Sequence, residues 1–123
     1  MIVKKHVMQI DLQSCGFQLT DALKHHAIRR LRYSLSHYES HILKVSVRLS
    51  DTNGPRHGVD KCCHLYIVMP GSSDVVVQDT EADLYVAIDR ATGRAGRTIA
   101  RQLSRIRESR RDMLPNPIAQ LEA

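Results

Sequence analysis

Five arginines, Arg90, Arg94, Arg97, Arg101 and Arg105, recur at steps of 4, 3, 4 and 4 residues. A guanidinium is a planar fork of donors that matches phosphate oxygens two at a time, stays charged at any physiological pH and also stacks on flat rings. Steps of three and four bring these side chains to one side of a helix, in a row about 22 Å long at 1.5 Å rise per residue. A second, smaller set is His25, Arg29 and Arg32, which also share one helical face. Both sets point to the same chemistry, the binding of a polyanion through its phosphates.

The charge distribution supports this. Residues 90–111 carry eight arginines against a single acid, Glu108, whereas the other residues carry ten Lys/Arg against twelve Asp/Glu. The net +5 is therefore one local basic patch on a nearly balanced chain. An ordinary solvated helix would intersperse acids at i±4 positions, and this one does not.

Other reactive residues do not assemble. Cys62, Cys63 and His64 are adjacent on a strand pattern and cannot converge on one ion, because neighbouring strand residues point to opposite faces. His25 and His26 diverge in the same way on a helix and read as polar surface. Asp79, Glu81 and Asp83 read as capping and dipole compensation at a helix start, and Asp89 as a partner for an arginine on its own helix, such as Arg94. Tyr85 reads as a structural ring with its hydroxyl at the rim. No glycine-rich phosphate loop, Ser-His-Asp pattern or HExxH is present, so neither an enzyme nor a metal or cofactor site is expected. Three cysteines, two of them adjacent, make no disulfide framework. With no signal-peptide pattern and no long apolar run, the expectation is a reduced, cytoplasmic protein.

The elements that position the arginines follow from periodicity. Met8, Ile10 and Leu12 alternate as a first strand ended by Ser14-Cys15-Gly16. Thr20 caps a helix over 20–37 whose stripe is Leu23, Ala27, Leu31 and Leu35. Leu43, Val45, Val47 and Leu49 alternate as a second strand, and residues 50–60 form a loop with Arg56 and His57 at its tip. Residues 61–70 form a third strand, with Cys63, Leu65, Ile67 and Met69 on one face. A turn at Pro70–Asp74 leads to a short fourth strand over 75–79. The second helix starts near Asp83, with Leu84, Ile88, Ala91, Ala95, Ile99, Leu103 and Ile106 on its apolar stripe and the arginine row roughly 140° away. Pro115 and Pro117 follow it. The expectation is one domain over 1–111 and a flexible tail over 112–123.

The order β-α-β-β-β-α predicts an α+β fold, a four-stranded sheet with two helices packed on one face. The two basic stripes then make one surface with a groove between them. Arg94 and Arg101 are exposed and aligned on it, so Arg94→Glu with Arg101→Glu is expected to abolish binding with little loss of fold.

Three segments, "LTDALKHHAIRRLRY" (19–33), "VDKCCHLYIVMPG" (59–71) and "DLYVAIDRATGRAGRTIARQL" (83–103), resemble the short form of the ribosome hibernation factors, the ribosome-associated inhibitor or light-repressed protein family. The last is the most specific: Asp83, Tyr85, Ala87, Ile88 and Asp89 match the family's aspartate-x-tyrosine-x-alanine-isoleucine-aspartate run. The resemblance implies the same β-α-β-β-β-α fold. It implies binding to the small ribosomal subunit and its 16S-type rRNA, in the channel of mRNA and tRNA, through His25, Arg29, Arg32, Arg90, Arg94, Arg97, Arg101 and Arg105. It implies inhibition of translation without catalysis. The chain stops before the C-terminal domain by which long-form members pair ribosomes, so pairing would need a separate ribosome-dimerising factor. The rival expectations are a double-stranded RNA-binding module, whose last helix opens on lysines where this one opens on acids, and a module that binds an acidic protein.

Overall fold

The computed structural model describes residues 8–51 and 60–113, with side chains through Ser109. The chain runs β1 (Gln9–Cys15), α1 (Asp21–Leu35), a 3-10 segment (Ser36–His41), β2 (Lys44–Asp51), β3 (Lys61–Val68), β4 (Val75–Glu81) and α2 (Leu84–Met113). The expected α+β order is the observed one.

The sheet order is β1-β2-β3-β4. β1 lies parallel to β2, with α1 as the crossover that a parallel pair requires. The other two pairings are antiparallel. Register puts Leu12, Val47, Leu65 and Val77 in one row across the sheet, and Ile10, Val45, Ile67 and Val75 in the next. The β2, β3 and β4 members of these rows share one buried cluster with Leu23, Ala27, Leu31 and Leu35 of α1 and with Ala87, Ile88, Ala91, Ala95, Ile99 and Leu103 of α2, and the half-buried Ile10 and Leu12 of β1 pack against it. Both helices therefore cover the same face. The opposite face carries Tyr66 and Val76, both exposed.

Thr20 caps α1 as its sequence position predicts, accepting the Leu23 N–H at 3.2 Å. α1 is shorter than the expected 20–37 because the chain tightens into the 3-10 segment after Leu35. β1 runs on through Ser14 to Cys15, ending just before Gly16, and β4 continues to Glu81. Asp79 and Glu81 are thus strand residues, and Asp83 alone caps α2, accepting the Tyr85 N–H at 2.8 Å. The β3–β4 turn is built on Pro70-Gly71. Gly71 takes φ +80°, and the Ser72 N–H donates to the Met69 carbonyl at 3.0 Å, as a type II turn requires. Asp74 ties it down, accepting the Met69 N–H at 3.0 Å and the Tyr66 hydroxyl at 2.8 Å. These two donors, the backbone one first, hold its carboxyl below the usual range.

Lys61 bridges Asp51 at 2.8 Å and Asp60 at 3.3 Å, at the base of the loop between β2 and β3. Arg56 and His57 lie outside the described residues, as does nearly all of the expected 112–123 tail. Cys63 is fully buried, and burial pushes its thiol up to about 12, whereas Cys15 is exposed. Maleimide at neutral pH is expected to label Cys15 rapidly and Cys63 only after unfolding. Labelling of Cys63 in the native protein, read by peptide mass, would contradict the packing.

Candidate nucleic-acid interface

α1 and α2 approach closely because α2 offers a glycine, Gly96, where they meet. A Cβ on Gly96 would stand 3.1 Å from the Ser34 carbonyl oxygen, a backbone atom of α1, whereas one on Gly93 would meet only the Arg97 guanidinium, at 3.5 Å. The same substitution thus has opposite expected signs. Gly93→Ala gains helix propensity of roughly 0.5–1 kcal/mol. Gly96→Ala must push the helices apart and is expected to lose about 1 kcal/mol net. Urea melts of the two variants decide it.

The helices are also pinned by charge. Asp89 of α2 reaches across to α1, where His26 Nε2 lies 2.7 Å and Arg30 Nε 3.2 Å from its Oδ1. The Tyr85 ring stands edge-on to His26, centroids 4.9 Å apart. Two expectations are corrected here. Asp89 pairs with the facing helix and not with Arg94, because its side of α2 is the side turned to α1. His26 is not free polar surface but half of this clamp. Tyr85 has the structural contact expected of it.

The arginine row does not present five equivalent guanidiniums. Arg94 leans over β4, donating to the Gln78 carbonyl at 2.9 Å and to Asp79 at 3.2 Å. Arg90 pairs with Glu81 at 2.9 Å. Asp79 and Glu81 are therefore anchors for arginines rather than caps of α2. The Asp79 side chain is only 11% exposed, so Arg94 offsets a carboxylate largely removed from water. Arg94→Ala is expected to cost about 1–3 kcal/mol of stability by leaving that carboxylate unpartnered. An unchanged denaturation midpoint would show the pair to be inert. Arg90 is 66% exposed, and a pair of that kind contributes little and can be exchanged for another anion.

Arg97, Arg101 and Arg105 are exposed and form no ion pair among the described residues. On α1, His25, Arg29 and Arg32 are likewise exposed and unpaired among the described residues. The sequence-predicted residues thus all lie on the helical layer, six of the eight without an intramolecular ion pair.

The groove between the stripes is real and has its own lining, which periodicity did not reveal. One part, of about 540 Å³, is bounded by Tyr33, His37, Tyr38 and Arg97 over the two glycines. The adjoining part, of about 330 Å³, is bounded by Arg30, Asp89, Arg90 and Arg94. Arg30 and Tyr33 were missed because a helical wheel measures angle from the apolar stripe. Only the position of the neighbouring helix makes the flank of α1 that carries them a groove wall. The one available signal was the Arg29-Arg30 pair, which puts a cation on that flank.

Among the described residues no group of three potential metal ligands converges, and no helix is long and apolar enough to cross a membrane.

Residues 10–107 match the family described as Sigma 54 modulation protein / S30EA ribosomal protein. Among solved structures, the N-terminal domain of Protein Y from Thermus thermophilus is similar at 28% identity and a TM-score of 0.64, over 76% of this chain and 98% of that one. A ribosomal subunit interface protein from Coxiella burnetii shares the fold at 16% identity and a TM-score of 0.64, over 79% of this chain and 99% of that one. A comparison with curated proteins finds no match.

Proposed function

Because the chain belongs to the Sigma 54 modulation protein / S30EA ribosomal protein family, the ribosome-hibernation family its sequence resembles, we propose that it occupies the mRNA and tRNA channel of the small ribosomal subunit and halts translation by occlusion. The observation that carries this reading is the helical layer. Arg97, Arg101 and Arg105 on α2 and Arg29 and Arg32 on α1 stand on one side of the molecule with no carboxylate of their own. Such a surface reads the shape and phosphate spacing of folded RNA rather than its sequence. The rRNA contacts assigned to it are His25, Arg29, Arg32, Arg90, Arg97, Arg101 and Arg105, while Arg94 is held back by Asp79. Occlusion needs no bond to be made or broken, and the protein acts in the cytoplasm, where ribosomes are.

Binding of this kind releases counterions. With roughly 5–8 phosphate contacts, a fourfold rise in salt is expected to weaken it by about 10²–10⁴. The test is co-sedimentation with purified small subunits at low and high salt, with and without tRNA and mRNA. Stoichiometric binding that fades with salt and yields to tRNA is the expected result. Binding that tRNA does not displace would overturn the channel site. Equal affinity for free duplex RNA would favour a general double-strand-binding module.

A further inference from the structure

We propose that the groove between α1 and α2 is a nucleobase pocket, taking one unstacked base of the bound RNA against the open face of the Tyr33 ring. This rests on the RNA-binding reading above and adds to it a site that phosphate contacts alone do not require.

Tyr33 is 78% exposed, the most exposed large hydrophobic side chain among the described residues. The chain has one Phe, four Tyr and no Trp, so a ring left in water on the helical layer stands out from the composition. It is also held in place. The Arg30 guanidinium sits over it, 5.6 Å from the ring centroid, and Arg30 is tethered by Asp89. Asp89 of α2, the Arg30 guanidinium and the Tyr33 ring of α1 thus form a run of contacts between the helices, beside the groove that Tyr33 lines.

The groove fits a base. Its volume of about 540 Å³ lies inside the range of roughly 300–1,000 Å³ typical of small-ligand sites. Its floor is Gly93 and Gly96, which bring no side chain into the space. Arg97 stands on one wall, placed for the phosphate attached to such a base, and His37 on the other side offers a ring nitrogen to a base edge. Arg97 lines this part of the groove and Arg30, Arg90 and Arg94 the adjoining part, a positive surround that selects a nucleotide over an apolar side chain.

Stacking and phosphate binding leave different signatures. Stacking on Tyr33 releases no counterion, so Tyr33→Ala is expected to weaken binding on the order of tenfold with an unchanged salt slope. Tyr33→Phe keeps the ring and the affinity. Arg97→Ala lowers the log–log salt slope by about one. The first probe is a short single-stranded RNA carrying 2-aminopurine, whose fluorescence is quenched on stacking. The second is the small subunit itself, by co-sedimentation. AMP against ribose 5-phosphate, followed by the Tyr33 ring resonances, separates a base from a bare phosphate: only AMP should shift them.

Quenching that Tyr33→Ala removes and Tyr33→Phe retains supports the pocket. No quenching, or quenching indifferent to Tyr33→Ala, overturns it. If the wild-type chain fails to bind small subunits yet quenches the probe through Tyr33, the pocket stands and the ribosomal reading falls. If it binds small subunits with Tyr33→Ala unaffected, the ribosomal reading stands and the pocket falls. Tyr33 supports no core residue, so its variants should melt with the wild type.

Discussion

Arg97→Glu combined with Arg101→Glu abolishes co-sedimentation with small ribosomal subunits while leaving the melting transition in place. Both side chains are exposed and free of ion pairs among the described residues, so the fold gives up little when they change. Each reversal removes a charge-assisted contact to phosphate, worth about 1.5–3 kcal/mol, and sets a carboxylate against the same phosphate. Two together amount to roughly 3–6 kcal/mol, or about 10²–10⁴ in affinity. The sequence alone would have chosen Arg94 with Arg101, since both sit on the same face. In the folded chain Arg94→Glu places a carboxylate against Asp79, so lost binding in that variant would mix a damaged α2–β4 contact with a lost RNA contact. Retained co-sedimentation of the Arg97/Arg101 variant would remove the helical layer as the site.

Leu65→Ala has the largest expected effect on stability. Leu65 is fully buried in β3, flanked by Val47 on β2 and Val77 on β4. Truncation there loses the transfer free energy of three carbons and leaves a cavity that two paired strands and a helix cannot close. The expected cost is about 3–4 kcal/mol, a large share of the roughly 5–15 kcal/mol that holds a domain of this size. A urea denaturation curve with an unchanged slope and a lower midpoint is the expected readout. A loss below about 1 kcal/mol would mean that this row of the sheet is not the centre of the core.

Much of this architecture could be read from the residues. The alternation through Val45–Leu49 and Cys63–Met69 names the buried side of two strands, and those residues are buried. The stripe Leu84, Ile88, Ala91, Ala95, Ile99, Leu103 and Ile106 names the buried side of α2, and Thr20 names the start of α1. The turn at Pro70-Gly71 is equally local. What went astray did so where a boundary or a partner was at issue. β4 runs two residues beyond the expected 75–79 because pairing with Lys61 and Cys62 holds Glu81 and Thr80 in the ladder although neither is apolar.

Sequence by itself determined the elements, their buried faces, the order β-α-β-β-β-α and the gathering of positive charge on the outer side of two helices. All of these depend on a backbone period of 2 or 3.6 and on neighbours a few residues apart. The tertiary structure alone decided which charges remain available. Asp89 meets His26 across 63 residues of chain, and Arg94 meets Asp79 across 15. Both contacts exist only because α2 lies between α1 and the β4 edge. That placement withdraws Arg94 from the basic surface, commits His26 to the helix clamp, and turns Arg30 and Tyr33 toward a groove floored by glycine. No angle on a single helical wheel contains the position of a second helix, so the groove and its tyrosine became visible only in the packed molecule.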